Sequence, residues 1–538
     1  MTRKPDPGPG AIRDETRDDD RHRQRPWPKL LAKPTVPMPK PGMKRRAEPI
    51  ATGSEWTLGT LEKFDHALAH HARQHGLDTY PIQYEIITAS QMIDLVSTVG
   101  MPVHYAHWSF GKQLLAQEHS YRKGMSGLAY EIVINTDPAI AYLMETNTTA
   151  LQVLVMAHAG YGHNAFFKNN YLFRQFTQAD AILDYLQFAR GFVQDCEERY
   201  GWREVEEILD CCHTLAPYGV DRYRRPARLS VKRERARLNE RLQFAEKHYN
   251  PDFAHLHLNG KKAAEPAQSF EPQENLLYFI EKHAPRLQPW QRELVRIVRK
   301  VSQYFHPQRL TKVANEGAAT FWHYTLLHDL YDAGEIDDGF MLEWLANHGD
   351  VVAQPAFDSR GFHGINPYAL GFSIFRDIRR ISEAPTDEDR QWFPGIAGMP
   401  WEEAIHFAMA NFKDDSLVEQ YLSPKVMRDM RLFLLHDGEE DRDHYHVQAI
   451  HNESGYLRIR QALARQTRGE TTIPPLTVAR ANDDTERALL LQHRVENGRL
   501  LDAQSTETVL GYVKRLWGFD VVLEEIDEAG NRLKIHRT

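Results

Sequence analysis

Residues 149–170 read "TALQVLVMAHAGYGHNAFFKNN", and this stretch decides how the fold is interpreted. Its apolar first half predicts a buried helix, which is typical of a mainly helical protein. His158 and His163 lie five residues apart inside it, where packing alone does not require two histidines. Positions five apart on an α-helix are rotated by about 140°, so a π-type bulge or a helix end near Gly160 and Gly162 is needed to bring both rings inward. The pair therefore predicts a metal site.

Helical spacing of apolar residues extends over most of the chain. We expect a mainly α-helical domain over residues 51–410 with a short strand pair, in which 128–138 is the only strong strand. Asp137-Pro138 predicts the start of a helix "AIAYLMETNT", because proline suits a first helical turn. From residue 411 to 538, strand-like runs alternate with two helices. The sequence thus predicts a smaller α+β domain there.

Composition narrows the class of protein. Residues 1–50 contain 10 prolines and 13 basic against 7 acidic residues, which predicts a disordered basic arm. The whole chain carries a net charge of −8, and this disfavours nucleic-acid binding. It has no signal-like segment and no apolar run long enough for a transmembrane span, so we expect a cytoplasmic protein. The three cysteines form no CxxC motif, which predicts buried thiols rather than a thiolate zinc site.

Two other helices offer partners for the histidine pair. Glu316 and His323 are seven residues apart and share one face of a predicted helix over 306–334. Glu206, Asp210 and His213 form a second stripe, in which the Asp-x-x-His spacing resembles the ligands of helical di-metal sites. We expect a divalent metal (Zn or Fe/Mn) because imidazole and carboxylate ligands suit these ions. The predicted ligands are His158, His163, Glu316 and His213.

A hydrolytic site also needs a base and a substrate-binding surface. Some zinc peptidases carry a glutamate directly after the first histidine of such a pair, but this chain has Ala159 there. The base must then come from elsewhere, and the predicted catalytic residues are Glu145, Glu206 and His323. The predicted substrate-binding residues are His107, Trp108, Lys168 and Asn169. Alternatively, Lys168 to Asn170 end the helix in a turn, since asparagine suits helix C-termini.

Seven segments, in the same order, are similar to one known family. They begin at residues 107, 130, 156, 219, 289, 307 and 366 and read "HWSFGK", "YEIVINTDPAIAYLMETNT", "MAHAGYGHNAFFKNNYLF", "GVDRYRRP", "PWQRELVRIVR", "PQRLTKVANEGAATFWHY" and "NPYALGFSIFRDI". With them the chain, from about residue 55 to its end, resembles the SpoVR-like (stage V sporulation protein R) family. The sporulation type has a shorter "HVxGH" spacing followed by Asp-Phe-Phe, so this chain, with Asn164, resembles the proteobacterial branch more closely.

The resemblance implies a biological setting rather than a set of catalytic residues. Sporulation members are linked with the spore cortex, a peptidoglycan layer. In bacteria that do not sporulate, the gene accompanies a PrkA-like serine kinase and a YeaH-like protein, which implies a stress or stationary-phase role. Two hypotheses follow. The chain is a metal-dependent hydrolase or amidase acting on cell-wall-derived material, or it is a non-catalytic regulatory protein that works with the kinase and the YeaH-like companion.

Overall fold

The computed structural model describes residues 48–98, 100–110, 131–223, 274–357, 359–436, 446–468, 473–481, 487–495 and 498–538. The predicted basic arm, apart from its last three residues, lies outside the described residues. None of the helices in these ranges is long and apolar enough to cross a membrane.

Helices dominate the part of the chain before residue 430. A π-helical segment, Met156–His163, interrupts the series and is called the π segment below. The α-helices in chain order are α1 Leu58–Gln74, α2 Ala89–Ser97, α3 Thr149–Val155, α4 Asn164–Asn169, α5 Tyr171–Phe176, α6 Ile182–Tyr200, α7 Trp202–Thr214, α8 Leu276–His283, α9 Pro289–Leu310, α10 Lys312–Ala333, α11 Asp338–Val351, α12 Pro367–Glu383, α13 Asp387–Trp392, α14 Trp401–Asn411, α15 Asp414–Tyr421, α16 Pro424–Asp429, α17 Glu453–Thr467 and α18 Ala503–Trp517.

The strands form three small sheets. A three-stranded sheet has the order β1-β3-β2, a two-stranded ladder pairs β4 with β5, and a four-stranded sheet has the order β6-β7-β8-β9. The mainly helical region followed by an α+β region is therefore confirmed. The strands are β1 Ile82–Ile87, β2 Ile132–Ile134, β3 Ala139–Met144, β4 Leu434–His436, β5 His446–Ala449, β6 Thr477–Ala481, β7 Leu489–Arg494, β8 Val521–Ile526 and β9 Arg532–Arg537.

The prediction of a helix at "AIAYLMETNT" is wrong, because residues 139–144 form strand β3. All six of its residues are buried, and it pairs in parallel with β1 and antiparallel with β2. A central strand covered on both faces reads as a continuous apolar run, so it lacks the alternation that marks a half-exposed strand. Strand β1, in the middle of a region expected to be helical, was missed as well.

Two of the three hydrophobic cores among the described residues combine elements that lie far apart in the sequence. The first contains the π segment, α10, α12 and α14, and also residues of α17 and β5. The second joins α7, α8 and α9 to β6, β7 and β8. The region after residue 411 thus contributes its first part to the helical core and its four-stranded sheet to the second core.

Helix α10 is the centre of the first core and sets the position of the candidate site. It packs between the π segment and α12 at backbone contact. A Cβ atom on Gly317 would lie 2.4 Å from the backbone of Gly371 in α12, and one on Gly162 would lie 2.6 Å from Cα of Ala319. Only glycine permits such close approach. The three helical segments are thereby held in fixed register.

Candidate metal centre

The π segment brings the two histidines to the same side of the helix. Residues 156–163 adopt i→i+5 hydrogen bonding, and this wider turn brings residues five apart closer to one face than an α-helix does. The rings of His158 and His163 have centroids 4.7 Å apart. The bulge expected near Gly160 and Gly162 is confirmed. Gly160 lies against strand β1, where an added Cβ atom would meet the hydroxyl of Tyr84 at 2.5 Å.

Two glutamates complete a compact group with this pair. Oε2 and Oε1 of Glu131, just before β2, lie 3.5 Å from Nε2 of His158 and of His163, respectively. Oε2 of Glu316, on α10, lies 3.5 Å from Nε2 of His163 and 3.8 Å from Nε2 of His158. The ligand atoms of Glu131, His158 and His163 all lie within 4.8 Å of one another.

The hydrogen bonds of these atoms help to distinguish two interpretations of the group, a metal site and a salt bridge. Oε1 of Glu131, Nε2 of His158 and Oε2 of Glu316 are buried without a hydrogen-bond partner among the described residues. The four separations of 3.5–3.8 Å are longer than a good N–H···O bond. Ligand atoms bound at about 2.0–2.2 Å to one tetrahedral ion lie about 3.3–3.6 Å apart. The residues present therefore fit a divalent cation between them.

Both histidines are oriented by bonds on the opposite ring nitrogen. Nδ1 of His158 lies 2.7 Å from Nδ1 of His323, whose Nε2 lies 2.8 Å from Nδ1 of His348. Nδ1 of His163 lies 2.9 Å from the side-chain oxygen of Asn315. Such partners fix the tautomer and the ring orientation of metal-binding histidines. Both Nε2 atoms are thus directed at the glutamates.

The two carboxylates also favour a positive charge within the group. Burial raises the pKa of Glu131, although the two histidines oppose this. Burial lowers the pKa of His163, but Glu316 and Glu131 outweigh burial and raise it to about 9. Burial likewise opposes ionisation of Glu316, yet His158 and His163 hold its pKa below the usual value. A metal ion would replace the proton that the site otherwise retains.

Tyr368, at the start of α12, lies at the edge of the group. It is half-buried, and its ring is stacked at 6.3 Å from that of His158. Burial, with the charges of Glu316 and Glu131, raises its pKa well above the usual value. Its hydroxyl therefore keeps its proton and can act as a hydrogen-bond donor.

Of the predicted ligands, the structure brings together His158, His163 and Glu316 but not His213. His213 lies on α7, where its Nε2 is 2.9 Å from the hydroxyl of Tyr105. Its ring stacks on that of His107 at 4.1 Å. Because this nitrogen is already hydrogen-bonded, His213 differs from His158, whose Nε2 is buried without a hydrogen-bond partner among the described residues.

The other predicted catalytic residues lie in different places. His323 contacts His158 directly. Glu145 is exposed and follows β3, and its amide donates to the carbonyl of Ile87. Glu206 is on α7, near His107. Burial lowers the pKa of His107, and the charge of Glu206 opposes this effect only weakly. Only His323 therefore belongs to the group around the π segment.

The predicted substrate-binding residues form two sets. His107 and Trp108 both contact Oδ1 of Asp210, the former at 3.1 Å. Lys168 lies 2.5 Å from Oδ1 of Asp78, and Asn169 donates to the Asp78 carbonyl at 2.8 Å. Both are thus engaged with the loop before β1, at the rim of a cavity of about 600 Å³.

The turn interpretation of the same stretch agrees with the backbone. Helix α4 ends at Asn169, and the side chain of Asn170 accepts from the amide of Leu172 to cap α5.

Sequence reasoning missed three members of the group: Glu131, His348 and Tyr368. The available signal for Glu131 was a lone acid at the start of "EIVINTDP", directly before an apolar strand. A charged residue in such a run is seldom buried without a partner. His348 and Tyr368 carried no comparable signal, because each is an isolated polar residue on a helix that also faces solvent.

The chain is similar to known proteins over most of its length. Residues 55–472 match the family described as SpoVR like protein, and residues 474–528 match the SpoVR-like C-terminal domain. The "Uncharacterized protein YcgB" of Escherichia coli (strain K12) is 51% identical over 493 residues, covering 91% of this chain and 96% of that protein. No solved structure matches. Since the family match spans far more than half of the sequence, this chain belongs to the SpoVR family, as its seven segments indicated.

Proposed function

We propose that this protein is a metal-dependent hydrolase whose centre is held by the π segment. The observation that carries the proposal is the convergence of three buried, unpartnered ligand atoms, on Glu131, His158 and Glu316, beside Nε2 of His163. Two histidines and one glutamate are a ligand set of catalytic zinc sites, which keep a further position for water or substrate. A divalent ion held there acts as a Lewis acid and lowers the pKa of water.

The two glutamates receive different roles. Glu131 joins the histidines in the tightest group, and its side chain is 7% exposed, which suits a ligand. Glu316 is 18% exposed and lies beside Tyr368, which suits a general base that must reach a water molecule. On this proposal Glu316 supplies the base that Ala159, next to His158 in the sequence, cannot provide. This assignment replaces Glu145 and Glu206, which the fold keeps outside the group.

Tyr368 completes the proposed machinery. Its proton is retained because burial and two carboxylates raise its pKa. A neutral phenol next to the base can donate a hydrogen bond to the oxygen on which negative charge develops during attack on a carbonyl. The spore-cortex link of the family suggests the substrate class: we propose an amide bond in a peptide or glycan fragment derived from peptidoglycan.

The test begins with metal and ends with turnover. The full chain is stripped with a chelator and reloaded with Zn²⁺, Mn²⁺ or Fe²⁺. It is then incubated with muropeptides, and mass spectrometry detects products that have gained one water. We expect cleavage only after reloading. Glu316→Gln should retain the metal and lose turnover, because the amide cannot accept the proton. Glu145→Gln, the exposed control, should retain both.

Other outcomes would assign the site differently. Loss of metal from Glu316→Gln would make Glu316 a ligand and move the base role to Glu131. A wild-type chain that binds less than about a tenth of an equivalent of any of these ions would contradict the proposal. That result would favour the alternative, a non-catalytic regulatory protein. A pull-down with a PrkA-like kinase and a YeaH-like protein would be the next measurement.

A further inference from the structure

A line of three histidine rings runs from the proposed metal position through the first core. His158, His323 and His348 belong to the π segment, α10 and α11, and their contacting nitrogens are 2.7 and 2.8 Å apart. His158 and His323 are 0% exposed, whereas His348 is 6% exposed. The first two rings of the line are thus fully buried, and His348 is the first of the three with any exposure.

His323 and His348 are both buried, and within the described residues neither ring contacts a carboxylate, so each is a neutral imidazole. A neutral imidazole carries one N–H and one bare nitrogen. Each short N···N contact therefore holds a single proton, donated by one ring and accepted by the next.

Once the proton of the first ring is assigned to one nitrogen, the positions of the protons on the other two rings follow. A metal on Nε2 of His158 needs a lone pair there, so the proton must sit on Nδ1 of His158. Nδ1 of His323 then accepts, its Nε2 donates to Nδ1 of His348, and the remaining proton lies on Nε2 of His348. With a proton on Nε2 of His158 instead, every donor and acceptor in the line is reversed.

We propose that His323, supported by His348, is a positioning residue that accepts the Nδ1 proton of metal-bound His158, so that metal binding selects the tautomer of His348 on α11. This inference rests on the proposed metal centre and adds a regulation of it. Partners of this kind typically contribute tenfold to a hundredfold to metal affinity. His348, one ring further away, should act only through His323.

Substitutions on α10 separate this role from simple packing. His323→Phe fills the space without an acceptor, whereas His323→Asn keeps a polar amide where Nδ1 stands. The matched control is His328→Phe, five residues further along the same helix, whose ring bonds the Tyr324 carbonyl rather than the line. Zn²⁺ affinity of the full chain is measured by competition with a chelator, and the Co²⁺ absorption spectrum reports the ligand geometry.

We expect His323→Phe to weaken Zn²⁺ binding by about 10–100-fold, and both His323→Asn and His328→Phe by less than about threefold. His348→Phe should weaken binding in the wild-type background and add nothing in His323→Phe, because the effect passes through one ring. Equal losses in His323→Phe and His328→Phe, or additive effects of the His323 and His348 substitutions, would overturn the proposal.

A spectroscopic measurement decides the question even if the His323 variants fail to fold. Nitrogen-15 spectra of histidine-labelled wild-type protein distinguish Nδ1–H from Nε2–H rings, and the His348→Phe spectrum identifies the signal of that residue. The Zn²⁺-loaded chain should show His323 and His348 with the proton on Nε2. A His348 signal that is the same with and without Zn²⁺ would refute the inference, whereas a wild type that binds no Zn²⁺ refutes the metal centre itself.

Discussion

The π segment and α7 each place histidines beside carboxylates and aromatic rings, but their polar atoms are in opposite states. On α7, His213 bonds Tyr105 and His107 bonds Asp210, at 2.9 and 3.1 Å. In the π segment, Nε2 of His158 is buried without a partner, and the nearest carboxylate oxygen is 3.5 Å away. Residue types alone made both regions candidates. The difference teaches that the hydrogen-bond state of the polar atoms, which composition does not give, is what distinguishes the group proposed to bind a metal.

The largest expected effect is on metal content. His158→Ala should reduce bound Zn²⁺ from about one equivalent to less than about a tenth, because it removes a ligand at the centre of the group. His213→Ala, which removes a partly buried ring from α7, should leave the content unchanged. Elemental analysis of both purified proteins checks this, with circular dichroism to confirm folding. Metal loss in both variants would erase the distinction between the two regions.

The second effect is a dependence of metal affinity on pH. The pKa of His163 is raised to about 9 by Glu316 and Glu131 against the effect of burial, so the metal-free ring is protonated at neutral pH. Zn²⁺ must displace this proton, and its affinity should rise about tenfold per pH unit from pH 7 towards 9. Burial lowers the pKa of His213 to about 3, so the ring of His213 stays neutral throughout this range. Chelator competition at three pH values gives the slope, and a flat profile would contradict the assignment.

A third comparison uses two helical glycines. Gly162→Ala would place a Cβ atom 2.6 Å from the α10 backbone, which cannot yield as a flexible side chain would. We expect a loss of about 1–3 kcal/mol in the free energy of unfolding and weaker metal binding. Gly191→Ala on α6 meets nothing within 4 Å and should gain about 0.5–1 kcal/mol. Chemical denaturation measures both. Equal effects would mean that the π segment is not held tightly against α10.

The smallest expected effect concerns α7, where Nε2 of His213 has a hydrogen-bond partner. Tyr105→Phe removes the hydroxyl that bonds Nε2 of His213 and should lower the free energy of unfolding by about 1–2 kcal/mol. It should not alter Zn²⁺ binding, because this bond belongs to the packing of α7. Denaturation and metal titration of the same sample test both statements. A change in metal affinity would show that the two regions communicate.

How far the sequence predicts this site can be seen from individual residues. His158, His163 and Glu316 were identifiable because a polar residue repeated in a buried helix has no packing reason to be there. Glu131 was not, since it lies 27 residues before His158 and reaches the site only through the pairing of β2 with β3. Strand β3 itself was mistaken for a helix, because pairing on both edges is a long-range property that no local pattern encodes.

The π segment has a consequence for how such a centre arises in evolution. An extra residue in a helix turns an α-helical stretch into a π bulge, and removing one restores the α-helix. The four-residue spacing expected in the sporulation type would align the same two histidines on an ordinary α-helix, whereas the five-residue spacing here requires the bulge. Gain or loss of a single codon would therefore rotate His163 relative to His158 while the flanking sequence stays the same. Branches of the family with different spacings keep the two histidines on one side only if the spacing and the helix type change together.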